Sequence, residues 1–264
     1  MALMAAAEGI PRLRAATVAL ALLGRLCTAL AQGGPPMITD DPGTPGPGNW
    51  EINVATLGLR SASSTVGESP LVDINFGVGE QIQLKYEMPW VTQRDADGST
   101  RSGLGNSLLG VKWRFHDAGL EGWSASIYPQ VELRNPASHS PRRGLADDGT
   151  GVLLPIEIER EFRRIGVNLE VGRELHSRDE NGWFGGIVLG RELGRSVEIL
   201  AEIHGEAAGS QHSQLAMNFG ARLRLRPFGT LLVSLGRDLH DTLEAPAQIF
   251  GYVGWCLNIA PGPE

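Results

Sequence analysis

Charged residues recur at every second position along several short apolar runs. In EQIQLKYEMPW (80–90), Lys85 and Glu87 interleave with Leu84, Tyr86 and Met88. The same spacing sets Lys112 and Arg114 in NSLLGVKWRF (106–115) and Glu132 in GWSASIYPQVEL (122–133). It sets Glu157 and Glu159 in VLLPIEIEREF (152–162), and Glu170 in RIGVNLEVG (164–172). Glu198 and Glu202 follow in SVEILAEIHG (196–205), then Arg222 and Arg224 in QLAMNFGARLRL (214–225). With Glu51 and Asp73, nine acids and five bases share one set of alternating positions. A surface of mixed charge suits electrostatic selection of a small solute, and its acidic excess favours cations and polar neutrals over anions.

Other chemistries find less support. Of six histidines, His116, His139, His176, His212 and His240 fall in predicted connections without metal-ligand spacing, so no metal is expected. His204 lies near Glu202 on the charged face. No GxSxG elbow accompanies the serines. GLGNSLLG (103–110) leads into a strand rather than a helix, which argues against a phosphate loop. The expectation is a non-enzyme without a cofactor.

The elements that must carry these residues are strands, because period-two alternation gives each run one apolar and one polar face. Five more segments repeat the pattern: NWEINVATLGL (49–59), PLVDINFGV (70–78), GWFGGIVLG (182–190), TLLVSLG (230–236) and QIFGYVGWCL (248–257). That makes twelve. Their connections sort by length. Residues 60–69, 91–105, 134–151, 173–181, 206–213 and 237–247 read as long. Residues 79–80, 116–121, 163, 191–195 and 226–229 read as short. Strict alternation of long and short is what an up-and-down barrel with two unlike ends produces. All six tryptophans, Trp50, Trp90, Trp113, Trp123, Trp183 and Trp255, fall on the apolar face, most near a strand end. Membrane barrels keep aromatic girdles there. The apolar face is therefore read as facing lipid and the charged face as facing a lumen.

The N-terminus reads as an export signal. Arg12 and Arg14 precede AATVALALLG (15–24), and ALA (29–31) offers a cleavage point after Ala31. Only Cys256 then remains, which excludes a disulfide framework. The formal net charge of −7 gives no support for nucleic-acid binding. QGGPPMITDDPGTPGPGN (32–49) is too rich in proline and glycine for regular structure. It is read as a periplasmic arm or a lumenal plug whose Asp40 and Asp41 would meet lumenal bases.

ITDDPGTPGPGNWEIN (38–53) resembles the opening of the outer-membrane β-barrel family named for the MetA-pathway of phenol degradation. DINFGVGEQIQLKYEMPW (73–90) and GLGNSLLGVKWRF (103–115) resemble that family's next hairpin and strand, with Asn106 standing where the family often carries Asp. The resemblance implies an outer-membrane location and a transport role linked to aromatic catabolism. It supplies no catalytic residues.

The expected architecture is an all-β, 12-stranded antiparallel up-and-down transmembrane β-barrel of the outer-membrane type. It comprises residues 49–258, after a signal (1–31) and an arm (32–48), and before a tail (259–264). The expected function is a narrow channel for a small solute. A closed structural barrel with 134–151 as its working loop is one alternative, and a soluble periplasmic ligand-binding barrel is another. The expected partners are outer-membrane lipid, the solute and the barrel-assembly machinery.

Overall fold

The structure is a computed structural model. It describes residues 33–264 except 120–121, 137, 210–211, 243–247 and 262–264. The signal-peptide expectation falls outside the described residues.

The fold is a closed antiparallel barrel of twelve strands. They are β1 (Trp50–Arg60), β2 (Ser64–Val78), β3 (Ile82–Asp95), β4 (Thr100–Leu104 and Ser107–Asp117), β5 (Trp123–Ile127 and Gln130–Leu133) and β6 (Gly151–Phe162). There follow β7 (Ile165–His176), β8 (Gly182–Leu193), β9 (Val197–Ala208), β10 (His212–Arg224), β11 (Thr230–Asp241) and β12 (Ile249–Ile259). Each pairs with its neighbour in sequence, and β1 closes the ring on β12 from Trp50↔Ile259 to Arg60↔Ile249.

Two strands are each built in two runs, and proline explains where they break. Proline has no N–H to give a ladder. Pro89 of β3, Pro129 between the runs of β5 and Pro155 of β6 lie beside the gaps. Their carbonyls still accept, from Gly105 N (2.9 Å), Val111 N (3.0 Å) and Tyr128 N (3.1 Å) respectively.

Burial is inverted relative to a soluble protein. Val171 is 54% exposed and Leu235 65%, whereas Lys112 is 1%, and Glu157 and Asn168 are 0%. A period-two strand turns every second side chain inward, so the strands send most of their apolar residues outward and most of their polar ones into the bore, with Leu71, Val188, Leu200 and Leu232 among the inward exceptions. Closure pairs the backbone groups and leaves no sheet edge, which a hydrocarbon surrounding requires. Trp50, Trp113, Trp123 and Trp255 lie on the outer face toward the end that carries the termini. Trp90 and Trp183 lie toward the other end.

The predicted connections need correction. Of 60–69 only 61–63 lies outside strand, and of 91–105 chiefly the turn 96–99. Residues 173–181, 206–213 and 237–247 likewise contribute much of their length to β7, β9, β10 and β11. His116, His176, His212 and His240 therefore lie in strands rather than loops. Extending a hairpin pairs backbone groups that a loop would leave to water, so the distal hairpins grow tall instead of looping. One long connection remains, 134–150, with a short 3₁₀ turn at Pro141–Arg143. The tail also differs slightly, because Ile259 is the last residue of β12.

Candidate functional site

The bore is the candidate site, and the arm lies inside it. Residues 33–41 turn back on themselves, with Gly34 N donating to Thr39 O (2.8 Å) and Met37 N to Gly34 O (2.9 Å). Glu202 of β9 accepts from Ile38 N (3.1 Å) and Thr39 N (2.6 Å), and Glu170 of β7 accepts from Asp40 N (3.1 Å). Arg222 of β10 donates to the carbonyls of Pro35 (3.0 Å), Gly34 (3.0 Å) and Gly33. Asn218 and Ser234 donate to Pro36 O at 3.5 and 2.9 Å. Met37 packs on two inward apolar residues, Val188 and Leu200. Gly186 and Gly220 let the arm come this close, since a Cβ at either would collide with Thr39 or Met37.

Lys112 joins the arm to the wall. Its ammonium lies 3.1 Å from Asp40 Oδ1 and 3.2 Å from Glu157 Oε2, and it also donates to the carbonyl of Asp41. It sits over the Tyr128 ring, 4.5 Å from the centroid. Glu157 takes a further hydrogen bond from Ser126. Asp40 thus meets a lumenal base through its carboxylate. The Asp41 carboxylate instead accepts from Gly43 N, and only the Asp41 backbone reaches Lys112.

The remaining predicted residues divide by height. Lys85 pairs with Glu87 (2.7 Å) on its own strand and with Asp73 (3.8 Å) on β2. Glu198 meets Arg222 (3.4 Å) and Arg224 (3.8 Å), and Arg224 also holds Glu192 (2.8 Å) near the rim. Arg114 is at that rim too, bonded to Glu80 O (2.7 Å) and Asp117 (3.3 Å). Glu159 is buried on the bore side, with its Oε1 unpartnered. Glu132 accepts from Asn106 Nδ2 (2.8 Å) toward the opposite mouth. Lys112 pairs with neither Glu87 nor Glu132 on the flanking strands, because it reaches past β5 to Glu157 and across to the arm. Sequence reasoning missed much of the uncharged lining: Asn53, Asn75, Asn168, Asn218 and Tyr128 are all buried. Their place in the period-two frame was the available signal.

A cavity of about 500 Å³ opens at the mouth away from the termini, between the wall and residues 144–147 of the long connection. The connection is fastened at Asp148, which accepts from Arg134 (2.9 Å) and also holds Arg178 on the β7–β8 turn. The hydrogen bond from Arg134, then the charge of Arg178, holds the Asp148 carboxyl below its usual range. Among the described residues no cluster suits a metal ion.

An apolar exterior around a closed, charged bore defines the outer-membrane barrel class of fold. Solved structures agree. The chain is similar to the COG4313 outer membrane channel from Pseudomonas putida F1, with TM-score 0.67 and 11% identity over 86% of this chain and 100% of that one. The NanC porin gives TM-score 0.57 and 7% identity over 79% and 100% of the two chains. The KdgM porin gives 0.55 and 9% over 80% and 99%. No protein-family model matches the sequence. No curated protein matches it either.

Proposed function

We propose that the chain is an outer-membrane channel for small solutes, narrowed by its own N-terminal arm. The single observation that carries this reading is the pairing of a charged bore with a lipid-compatible exterior, around a plug held by polar contacts and an apolar cluster. Eight strands enclose a bore that side chains fill and sixteen or more leave an aqueous channel, so twelve give a bore that a short peptide can occupy. Such a plug is removable without disturbing the strand ladders. The resemblance at residues 38–53 supports aromatic compounds as a solute class, and the acidic excess supports cations or neutrals.

The test is conductance in planar bilayers and solute-driven swelling of liposomes, for the chain with its arm and for a chain starting at Asn49. Channels that open more often or more widely without the arm support the reading. A barrel that never conducts in either form leaves the structural alternative, which the extensive bonding of the arm favours. The exposed band argues against a soluble periplasmic barrel. Recovery from the periplasmic fraction without detergent would reverse that.

A further inference from the structure

The cavity at the mouth is distinct from the plugged centre in both charge and lining. Five carboxyl side chains line it: Glu68 of β2, Glu87 of β3, Glu132 of β5, Asp147 of the long connection and Glu174 of β7. No lysine, arginine or histidine does. Among the described residues Glu87 has Lys85 as a partner and Glu174 has His176 (2.9 Å). Glu68, Glu132 and Asp147 form no ion pair there. The bases deeper in the bore are engaged: Lys112 by Asp40 and Glu157, Arg222 by the arm and Glu198.

A second observation is independent of this charge. Asn106 lines the cavity and is only 9% exposed. Its amide nitrogen donates to Glu132 Oε1 (2.8 Å) and to Asp147 O (3.1 Å), yet its carbonyl oxygen has no partner. A buried acceptor without a donor is costly, and every charged neighbour here is also an acceptor. The charged side chains of the wall therefore offer that oxygen no donor. Val91, Leu108, Leu145 and Leu153 supply apolar surface in the same cavity. The carboxylates do not converge closely enough for a metal ion.

We propose that this cavity binds an organic cation, a primary ammonium on a compact apolar body, and forms the first station for solutes entering the bore. An ammonium offers three N–H donors, which answers the Asn106 carbonyl and the Glu68 and Glu132 carboxylates. Its body packs on Val91, Leu108 and Leu145, which hangs from the long connection. The volume, about 500 Å³, falls in the usual range for small-molecule sites. The inference narrows the channel reading to a solute class and rests on it only for the direction of travel.

The experiment is calorimetric titration of the detergent-solubilised full barrel with phenethylammonium, and with phenylpropionate as an anion of matching shape. The ammonium is expected to bind saturably and the carboxylate not at all. Glu68→Gln with Glu132→Gln is expected to weaken the ammonium at least tenfold. In the unaltered protein, raising NaCl from about 50 to about 500 mM is expected to weaken it as screening shortens the reach of the carboxylates. Equal binding of the two probes, or ammonium binding indifferent to salt, overturns the proposal. Binding is read apart from conductance. A barrel that binds the ammonium but never conducts keeps the site and loses the channel; one that conducts without binding loses the site alone.

Discussion

Replacing Lys112 by Met should release the arm rather than unfold the barrel. The Lys112 side chain is 2% exposed, and its partner Glu157 is fully buried. Removing one member of a buried ion pair costs about 3–5 kcal/mol, because the other charge is left without compensation. The cheapest relief is local. The strand ladders do not depend on Lys112, whereas Asp40 and the Asp41 carbonyl both bond to it. If the arm leaves, water reaches Glu157 and the cost falls on docking alone. At about 1.4 kcal/mol per factor of ten, the undocked population rises between roughly a hundredfold and a few thousandfold. A Met37→Cys reporter reads this directly, in a chain without Cys27 and Cys256, since Met37 is buried against Val188 and Leu200. Labelling by a bulky maleimide should accelerate by that factor in Lys112→Met, while the strand content seen by circular dichroism stays put. Acceleration of less than about threefold, or loss of the barrel itself, would refute the assignment of Lys112 as the clasp of the arm.

Further outcomes follow from the same geometry. Asp40→Asn should speed the same labelling more than Asp41→Asn, because only the Asp40 carboxylate meets Lys112. Gly220→Leu should expel the arm without altering any charge, which raised conductance or Met37→Cys labelling would register. Val171→Arg, on the exposed face of β7, should cost up to about 2–4 kcal/mol in vesicle folding titrations, whereas the exposed Arg178→Ala should cost under about 1 kcal/mol. Because the Asp148 carboxyl is held below its ordinary value of 3.8, its fastening of the long connection is present above that pH and is lost as pH falls through the lowered value. Proteolysis within 134–150 should therefore quicken only in strong acid, and not between neutral pH and about 5.

Alternation alone sufficed for which side of each strand is wet, since Leu84 and Tyr86 are exposed while Gln83 is buried. It also located Glu202, Arg222 and Lys112 in the bore. It did not reveal what they hold. Arg222 is occupied by the carbonyls of Gly33, Gly34 and Pro35, which every residue type possesses, so no side-chain pattern announces the contact. Hairpin heights were hidden for a related reason. Ser64, Thr65 and Gly67 read as loop by composition, yet pair in register with Asp95, Arg94 and Thr92, because backbone pairing needs no apolar face. Val188 and Leu200 broke the charge pattern on the inward face, and their purpose shows only once Met37 lies against them.

Because the arm is joined to β1 through residues 42–49, it competes for Glu202, Glu170 and Lys112 as a tethered ligand. A short tether presents it at an effective concentration in the millimolar range. A solute that must displace it faces that competitor at fixed strength, whatever the supply outside. In the channel proposed above, uptake through the centre would therefore respond to solute concentration only where the solute's own affinity exceeds that of a neighbour that never diffuses away. A chain freed of its first sixteen described residues would respond from far lower concentrations.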